Sequence, residues 1–287
     1  MTSNDQTELA AYYDSQYNAR ASVQDYEQYP RLYRALSDQA HARLTCYKDL
    51  PYGPGEHERL DFFPAARPDA PVLLFIHGGY WRALSKADSA FMAPALTAAG
   101  AAVAVLDYDL APAVSLDHIV DQTRRALAWL YRNAAAHGGD PQRLYVSGSS
   151  AGGHLCGMLL AAGWHAAYQL PTDVVRGALP VSGLYDLLPL LPTHINTWMN
   201  LDEAAARRNS PLFHLPEHAG ELLVSYGGLE SQEFARQSEA FLSAWNSRGL
   251  RGRSLPVPGR NHYDVVLQLG EPGMALHQAV LELMELA

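Results

Sequence analysis

Short apolar runs alternate with longer helical patterns along most of this chain, beginning at about Val72. The run at 72–76 is apolar throughout, which is typical of a strand covered on both faces. The pattern at 116–137 repeats its apolar residues every three or four positions and ends at two glycines. This alternation predicts an α/β fold with a mostly parallel central sheet and helices on both faces. The predicted strands are 72–76, 101–106, 144–147, 174–181, 221–226 and 250–256, and the predicted helices are 86–99, 116–137, 151–162, 232–248 and 272–286.

Three further segments complete the predicted architecture. Stretches at 44–47 and 59–63 predict two edge strands, with antiparallel pairing as one alternative. The segment 187–216 contains four prolines and is predicted to be mostly loop, lying over the sheet edge and framing a pocket. No repeat, linker or composition break divides the chain, so we predict one α/β domain over residues 44–287. A helical N-terminal extension over residues 1–43 is expected to cover the pocket side of that domain.

Composition and charge narrow the possible partners. The chain has 287 residues, 30 of them acidic and 21 basic, for a net charge of −9. This balance argues against nucleic acid and against a polybasic membrane surface as partners. Two cysteines do not predict a disulfide scaffold. No apolar run reaches the ~18 residues of a membrane span, and residues 1–10 lack a signal-peptide pattern, so we expect a cytoplasmic protein.

A nucleophile motif lies between a predicted strand and a predicted helix. Gly148-Ser149-Ser150-Ala151-Gly152 matches Gly-x-Ser-x-Gly, with Ser150 at its centre. The sharp strand–turn–helix bend of α/β-hydrolases lifts the serine oxygen clear of the sheet and leaves the next backbone N–H free at the helix start. We predict Ser150 as the nucleophile; the alternative is an ordinary glycine-rich turn.

A second glycine-rich stretch, His77-Gly78-Gly79-Tyr80-Trp81, follows the strand at 72–76. Acyl transfer places negative charge on a carbonyl oxygen, and preorganised backbone N–H groups stabilise that charge. We assign the oxyanion hole to the amides of Gly79, Tyr80 and Ala151, against the alternative of a plain tight turn. His77 precedes the turn and is expected to anchor the loop rather than act as a base.

The base and the acid follow from chain order, which in α/β-hydrolases runs serine, then Asp or Glu, then histidine. His262 lies past the last predicted strand and is the predicted base, whereas His154 is expected to be buried with a core hydrogen bond. Glu230 lies directly after the strand at 221–226 and is the predicted acid; Glu233 is the second candidate. No His-Glu-x-x-His or similar spacing occurs, so no metal site is predicted.

Four stretches resemble the kynurenine formamidase (arylformamidase) group of α/β-hydrolases, which is close to the hormone-sensitive-lipase-like esterases. They are HisGlyGlyTyrTrp at 77–81, GlySerSerAlaGlyGlyHisLeu at 148–155, GluSerGlnGluPheAlaArgGlnSer at 230–238 and TyrAsnAlaArg at 17–20. The third departs from the commoner Asp at Glu230. The resemblance implies hydrolysis of N-formyl-L-kynurenine to formate and L-kynurenine in tryptophan breakdown, without a cofactor, and is compatible with a homodimer.

Two other functions stay open beside this one. A general short-chain carboxylesterase would use the same triad, and a catalytically silent hydrolase fold could serve as a ligand receptor. Tyr80 and Trp81 are predicted to contact the aryl part of the substrate by stacking, although packing alone would also explain Trp81. Eight of the 16 tyrosines precede Gly53, and those of the N-terminal extension are expected either to line the pocket mouth or only to pack onto the domain.

Overall fold

Eight strands form one sheet in the order β1-β2-β4-β3-β5-β6-β7-β8. The structure is a computed structural model that describes residues 3–287, with side chains from residue 5 onward; the first two residues of the predicted extension lie outside the described residues. The strands are β1 (Tyr47–Pro51), β2 (Arg59–Phe63), β3 (Ala70–Ile76), β4 (Ala102–Leu106), β5 (Gly139–Ser149), β6 (Val175–Val181), β7 (Glu221–Gly227) and β8 (Gly252–Val257). The predicted α/β class is confirmed.

Strands β3 to β8 pair in parallel, and β2 joins the edge of the sheet antiparallel to β4. Every residue of β3 and β4 is buried, as expected for strands covered on both faces. Strand β1 pairs antiparallel with β2, but it begins at Tyr47 and not at Leu44 as predicted. The reason is that helix α2 runs to Arg43, and Leu44 is its C-terminal cap.

The helices divide between the two faces of the sheet. They are α1 (Ser3–Gln16), α2 (Gln28–Arg43), α3 (Ala93–Ala98), α4 (Leu116–Asn133), α5 (Ala151–Leu160), α6 (Asn196–Met199), α7 (Glu203–Arg208), α8 (Gln232–Ser247) and α9 (Ala275–Leu283). Leu74 and Ile76 of β3 pack with α4, α5 and α8, whereas Leu73 and Phe75 pack with α2, α3 and α9. This alternation follows the two-residue period of a strand. A hydrophobic core therefore covers each face of the sheet.

The helix predicted at 86–99 is wrong over its first half. Only a short 3-10 turn at Lys86–Asp88 and helix α3 occur there. Pro94 has no N–H, and its ring disfavours a helical carbonyl at Ala90. The N–H of Ala90 instead donates to Ser37 Oγ of α2 at 3.0 Å. The chain therefore breaks between the two short elements and packs against α2.

The proline-rich connection between β6 and β7 holds short helical turns at Leu188–Leu190 and Pro211–Phe213 besides α6 and α7. It is joined to the N-terminal extension at His194, whose backbone N–H and Nδ1 contact Asp14 Oδ1 at 2.5 and 2.6 Å. Within residues 3–287, no helix is both long and apolar enough to cross a membrane.

The start of α5 packs closely on β3, and a side chain added at this contact tests how tight the packing is. A Cβ at Gly152 would lie 2.0 Å from the backbone oxygen of Ile76, so Gly152→Ala must displace main chain. We expect it to lower the free energy of unfolding by about 3 kcal/mol or more, measured by urea denaturation. Gly228→Ala is the control, because its added Cβ meets nothing closer than 3.2 Å. Equal losses in the two variants would contradict this account of the packing.

Candidate active site

Ser150 occupies the sharp turn between β5 and α5. Its backbone has φ 56° and ψ −115°, a conformation that non-glycine residues seldom adopt. The turn is held by hydrogen bonds from Ser150 N to the Val181 carbonyl at 2.8 Å and from His154 N to the Ser150 carbonyl at 3.0 Å. A Cβ at Gly148 would lie 2.6 Å from the Ile76 oxygen, so a side chain is excluded there too. The strained serine is therefore presented at the helix start by its glycine neighbours.

Glu230 and His262 come together from two separate loops, one after β7 and one after β8. His262 Nδ1 lies 2.6 Å from Glu230 Oε2, and the two side chains are 4% and 1% exposed. The second carboxylate oxygen accepts hydrogen bonds from Ser182 Oγ at 2.6 Å and from the Gly227 N–H at 2.5 Å. With Nδ1 engaged by the carboxylate, Nε2 is the imidazole nitrogen left to exchange a proton with another group.

Glu233, the second candidate acid, makes different contacts. It accepts hydrogen bonds from Arg236 at 2.7 Å and from Tyr17 Oη at 2.7 Å. Burial opposes its ionisation, but the hydrogen bonds from Arg236 and Tyr17 outweigh that effect and lower the pKa of Glu233. The geometry thus pairs Glu230, and not Glu233, with the imidazole.

The loop after β3 approaches Ser150 closely. A Cβ at Gly78 would lie 3.3 Å from Ser150 Cβ and 2.7 Å from the Ser149 oxygen. Gly79 has φ +94°, and a Cβ there would lie 2.2 Å from the Ala83 oxygen, so the turn requires glycine. In the part of the chain that the structure describes, the N–H groups of Gly79 and Tyr80 donate no hydrogen bond to the protein. Both are available to an oxygen bound beside the serine.

His77 and Tyr108 contact each other at the start of this loop and support it. Their rings stack with centroids 4.1 Å apart, and Tyr108 Oη donates to the His77 carbonyl at 2.9 Å. His77 is buried beside Asp107, with Nε2 3.6 Å from a carboxylate oxygen. These contacts suit the predicted anchoring role.

The predicted contact of Trp81 with substrate is wrong. Its side chain is fully buried and does not line the cavity beside Ser150. Trp81 Nε1 donates to His154 Nδ1 at 3.2 Å, and His154 Nε2 donates to the Asn209 carbonyl at 2.7 Å. Burial lowers the pKa of His154 to about 4, which keeps the ring neutral at pH 7. Trp81 therefore fastens the glycine loop to helix α5, and His154 has the predicted core hydrogen bond.

A cavity of about 380 Å³ joins these parts and has a largely aromatic wall. Ser150, His262, Gly79 and Tyr80 all line it. Its other aromatic and cationic lining residues include Tyr17, Arg20, Tyr26, Tyr33, Arg82, Trp198 and Tyr263. Neither Trp198 nor Tyr263 is predicted from the sequence to line the cavity. Tyr263 adjoins the predicted base, which was an available signal. Trp198 lies in α6, a single helical turn too short to show a periodic pattern in the sequence.

The N-terminal extension contacts both loops that carry Glu230 and His262. Tyr33 Oη donates to the Tyr263 carbonyl, and Asn261 Nδ2 donates to Tyr29 Oη at 2.8 Å. At the loop after β7, Ser231 Oγ donates to the Gln16 carbonyl at 2.6 Å. Three tyrosines of the extension also line the cavity. The extension thus forms part of the wall and bonds to the loops on either side.

One group of side chains in residues 3–287 has ligand atoms that could reach a shared metal ion. His41, Cys46 and Asp61 place such atoms within 4.8 Å of one another, outside the cavity. However, Asp61 Oδ1 already bonds the Lys86 ammonium at 2.9 Å. Burial also raises the pKa of the Cys46 thiol to about 12, which opposes formation of a thiolate ligand. We assign no metal to this group.

Comparison with known proteins identifies relatives over nearly the whole chain. A family model described as BD-FAE matches residues 60–174. A kynurenine formamidase from Salmo salar is 34% identical over 94% of this chain and 93% of its own length. A kynurenine formamidase from Danio rerio is 32% identical over 98% and 96%. A crystal structure from Silicibacter sp. TM1040, described as that of a candidate thioesterase, has a TM-score of 0.81 at 29% identity and covers 92% of this chain and 96% of its own.

The buried imidazole of His154 generates a prediction for stability against pH. Its pKa is about 4 in the folded protein against 6.5 ordinarily, so the unfolded chain binds the proton first as pH falls. The stabilisation is complete above about pH 6.5 and is lost towards pH 4. We expect wild type to lose about 3 kcal/mol more than His154→Gln over this interval, measured by urea denaturation at each pH. The pH slope is the readout, since the substitution also changes packing; equal slopes would contradict the assignment.

Proposed function

This chain is a hydrolase of the kynurenine formamidase family, and we propose that it hydrolyses N-formyl-L-kynurenine to formate and L-kynurenine in tryptophan breakdown. The observation that carries the proposal is the His262–Glu230 hydrogen bond of 2.6 Å beside a cavity that Ser150 also lines. Ser150, His262 and Glu230 are proposed as nucleophile, base and acid, in the chain order of α/β-hydrolases.

Acylation begins with proton transfer from Ser150 Oγ to His262 Nε2 as Oγ attacks the formyl carbon. The positive charge that develops on the imidazole is offset by Glu230, whose carboxylate is held by Ser182 and Gly227. The bond between the formyl carbon and the aniline nitrogen then breaks, and His262 delivers its proton to that nitrogen. Kynurenine leaves, and the formyl group stays on Ser150 as an ester.

Deacylation repeats these steps with water as the nucleophile. His262 accepts a proton from water as its oxygen attacks the formyl carbon, and it returns that proton to Ser150 Oγ as the ester bond breaks. Formate is released and the serine is regenerated. In both halves of the reaction the amides of Gly79, Tyr80 and Ala151 stabilise the oxyanion. The unbonded N–H groups of Gly79 and Tyr80 support this assignment.

The cavity suits an aryl formamide for two reasons. Its wall contains Tyr80, Trp198 and Tyr263, whose rings offer faces and edges for an aromatic substrate. A formyl group has no carbon beyond the carbonyl, so the acyl side needs little space. An aniline nitrogen is also a better leaving group than an alkylamine.

A cytoplasmic location and a homodimer remain predictions from the sequence.

The main alternative is a short-chain carboxylesterase with the same triad. The relative from Silicibacter favours it, because a thioesterase, like a carboxylesterase, cleaves an acyl bond to a leaving group other than nitrogen. The two functions differ in the preferred substrate. A kcat/KM for p-nitrophenyl acetate orders of magnitude above that for N-formyl-L-kynurenine would favour the esterase.

Replacing the nucleophile is the first test of the mechanism. We expect Ser150→Ala to lower kcat for N-formyl-L-kynurenine by roughly 10⁴–10⁶-fold, because no other group can carry the acyl intermediate. Formation of kynurenine is followed by its absorbance, and folding by circular dichroism.

Ser149→Ala is the matched control, since Ser149 also lines the cavity but does not occupy the centre of the turn. It should keep most of the wild-type activity. Retained turnover by folded Ser150→Ala, or an equal loss in both variants, would overturn the assignment of Ser150.

A further inference from the structure

Arg82 lies at the cavity wall, two residues after Tyr80. Its guanidinium carbon is 3.9 Å from the centroid of the Trp198 ring. The same indole donates from Nε1 to the Tyr80 carbonyl at 3.3 Å. Trp198 therefore supports both the oxyanion loop and the arginine that follows it. Stacking on one face of the guanidinium leaves the in-plane N–H edge free for another partner.

Arg82 differs from the other titratable acidic, basic and imidazole groups that line the cavity. Each of those lies within 4.0 Å of a group of the opposite kind: Arg20 of Glu27, His77 of Asp107, Asp88 of Arg34, His194 of Asp14 and His262 of Glu230. Among the described residues, no carboxylate lies within 4.0 Å of the Arg82 guanidinium. In a protein of net charge −9, the wall therefore presents an uncompensated cation.

We infer that Arg82 binds the α-carboxylate of the substrate and gives the enzyme a preference for aryl formamides that carry an acidic group. The inference rests on the proposed function, whose substrate has an amino-acid side chain beside its aryl formamide. A planar guanidinium matches a carboxylate with two parallel hydrogen bonds. Stacking on Trp198 orients it before the substrate arrives, so less side-chain entropy is lost on binding.

Arg82 belongs to the same loop as Gly79 and Tyr80, so one segment of the chain can bind both ends of the substrate. The formyl oxygen is bound at Gly79 and Tyr80, and the carboxylate is bound a few residues further along the same loop. The aryl ring then lies between them along the aromatic wall. Arg82 is exposed, so its interaction is weakened by solvent and by salt.

The test compares ligands with and without the carboxylate. Arg82→Met keeps an unbranched side chain that can pack on Trp198 but removes the charge. We expect kcat/KM for N-formyl-L-kynurenine to fall about 10-fold, mainly through KM, while that for formanilide stays within about 2-fold. Arg20→Met is the matched control, because Arg20 also lines the cavity over a tyrosine ring but is paired with Glu27. It should leave the ratio of the two substrates unchanged.

A binding measurement separates this inference from the proposed reaction. Calorimetry with L-kynurenine and with 2-aminoacetophenone, which lacks the amino-acid group, needs no turnover. Arg82→Met should weaken L-kynurenine about 10-fold and leave 2-aminoacetophenone unchanged. Equal weakening of both ligands, or of neither, would overturn the role of Arg82. Selective weakening in a protein that does not hydrolyse N-formyl-L-kynurenine would uphold Arg82 and refute the proposed reaction.

Discussion

The positive φ of Ser150 is the constraint on which the rest of the site depends. A non-glycine residue in that conformation persists only where its surroundings hold it. Here β5, β3 and the start of α5 approach so closely that Gly148 and Gly152 admit no side chain. The Val181 carbonyl binds the serine amide from the neighbouring strand. The sheet, packed between two hydrophobic cores, thus holds the backbone of Ser150 in this conformation.

The other parts of the site are loops, which the sheet alone does not orient. The loops after β7 and β8 leave adjacent strands and meet through the His262–Glu230 hydrogen bond. The N-terminal extension contacts the first through Gln16 and the second through Tyr29. It also lines the cavity. Positioning of the loops and access of the substrate are therefore both linked to one segment that lies outside the sheet.

Most of the fold was predictable from local sequence, as was the position of Ser150 and His262 at one cavity with Glu230 bonded to the imidazole. Apolar runs and their spacing predicted where most strands lie along the chain. The order serine, acid, histidine then predicted Glu230 and His262. Helix 86–99 was mispredicted although Pro94 was a visible signal. Trp81 was misplaced because motif position does not reveal whether a ring faces the cavity or the core. Trp198 and the pairing that leaves Arg82 free depend on contacts between distant segments, which periodicity does not encode.

Ser150 is proposed to be an activated nucleophile, and covalent labelling tests this role most directly. A fluorophosphonate probe followed by peptide mass spectrometry reports which serine forms the adduct and how fast. We predict a single adduct on Ser150, formed far more slowly when His262 is replaced by Ala, because the base that removes the serine proton is then lost. An unlabelled protein, or an adduct on Ser149, would contradict the account.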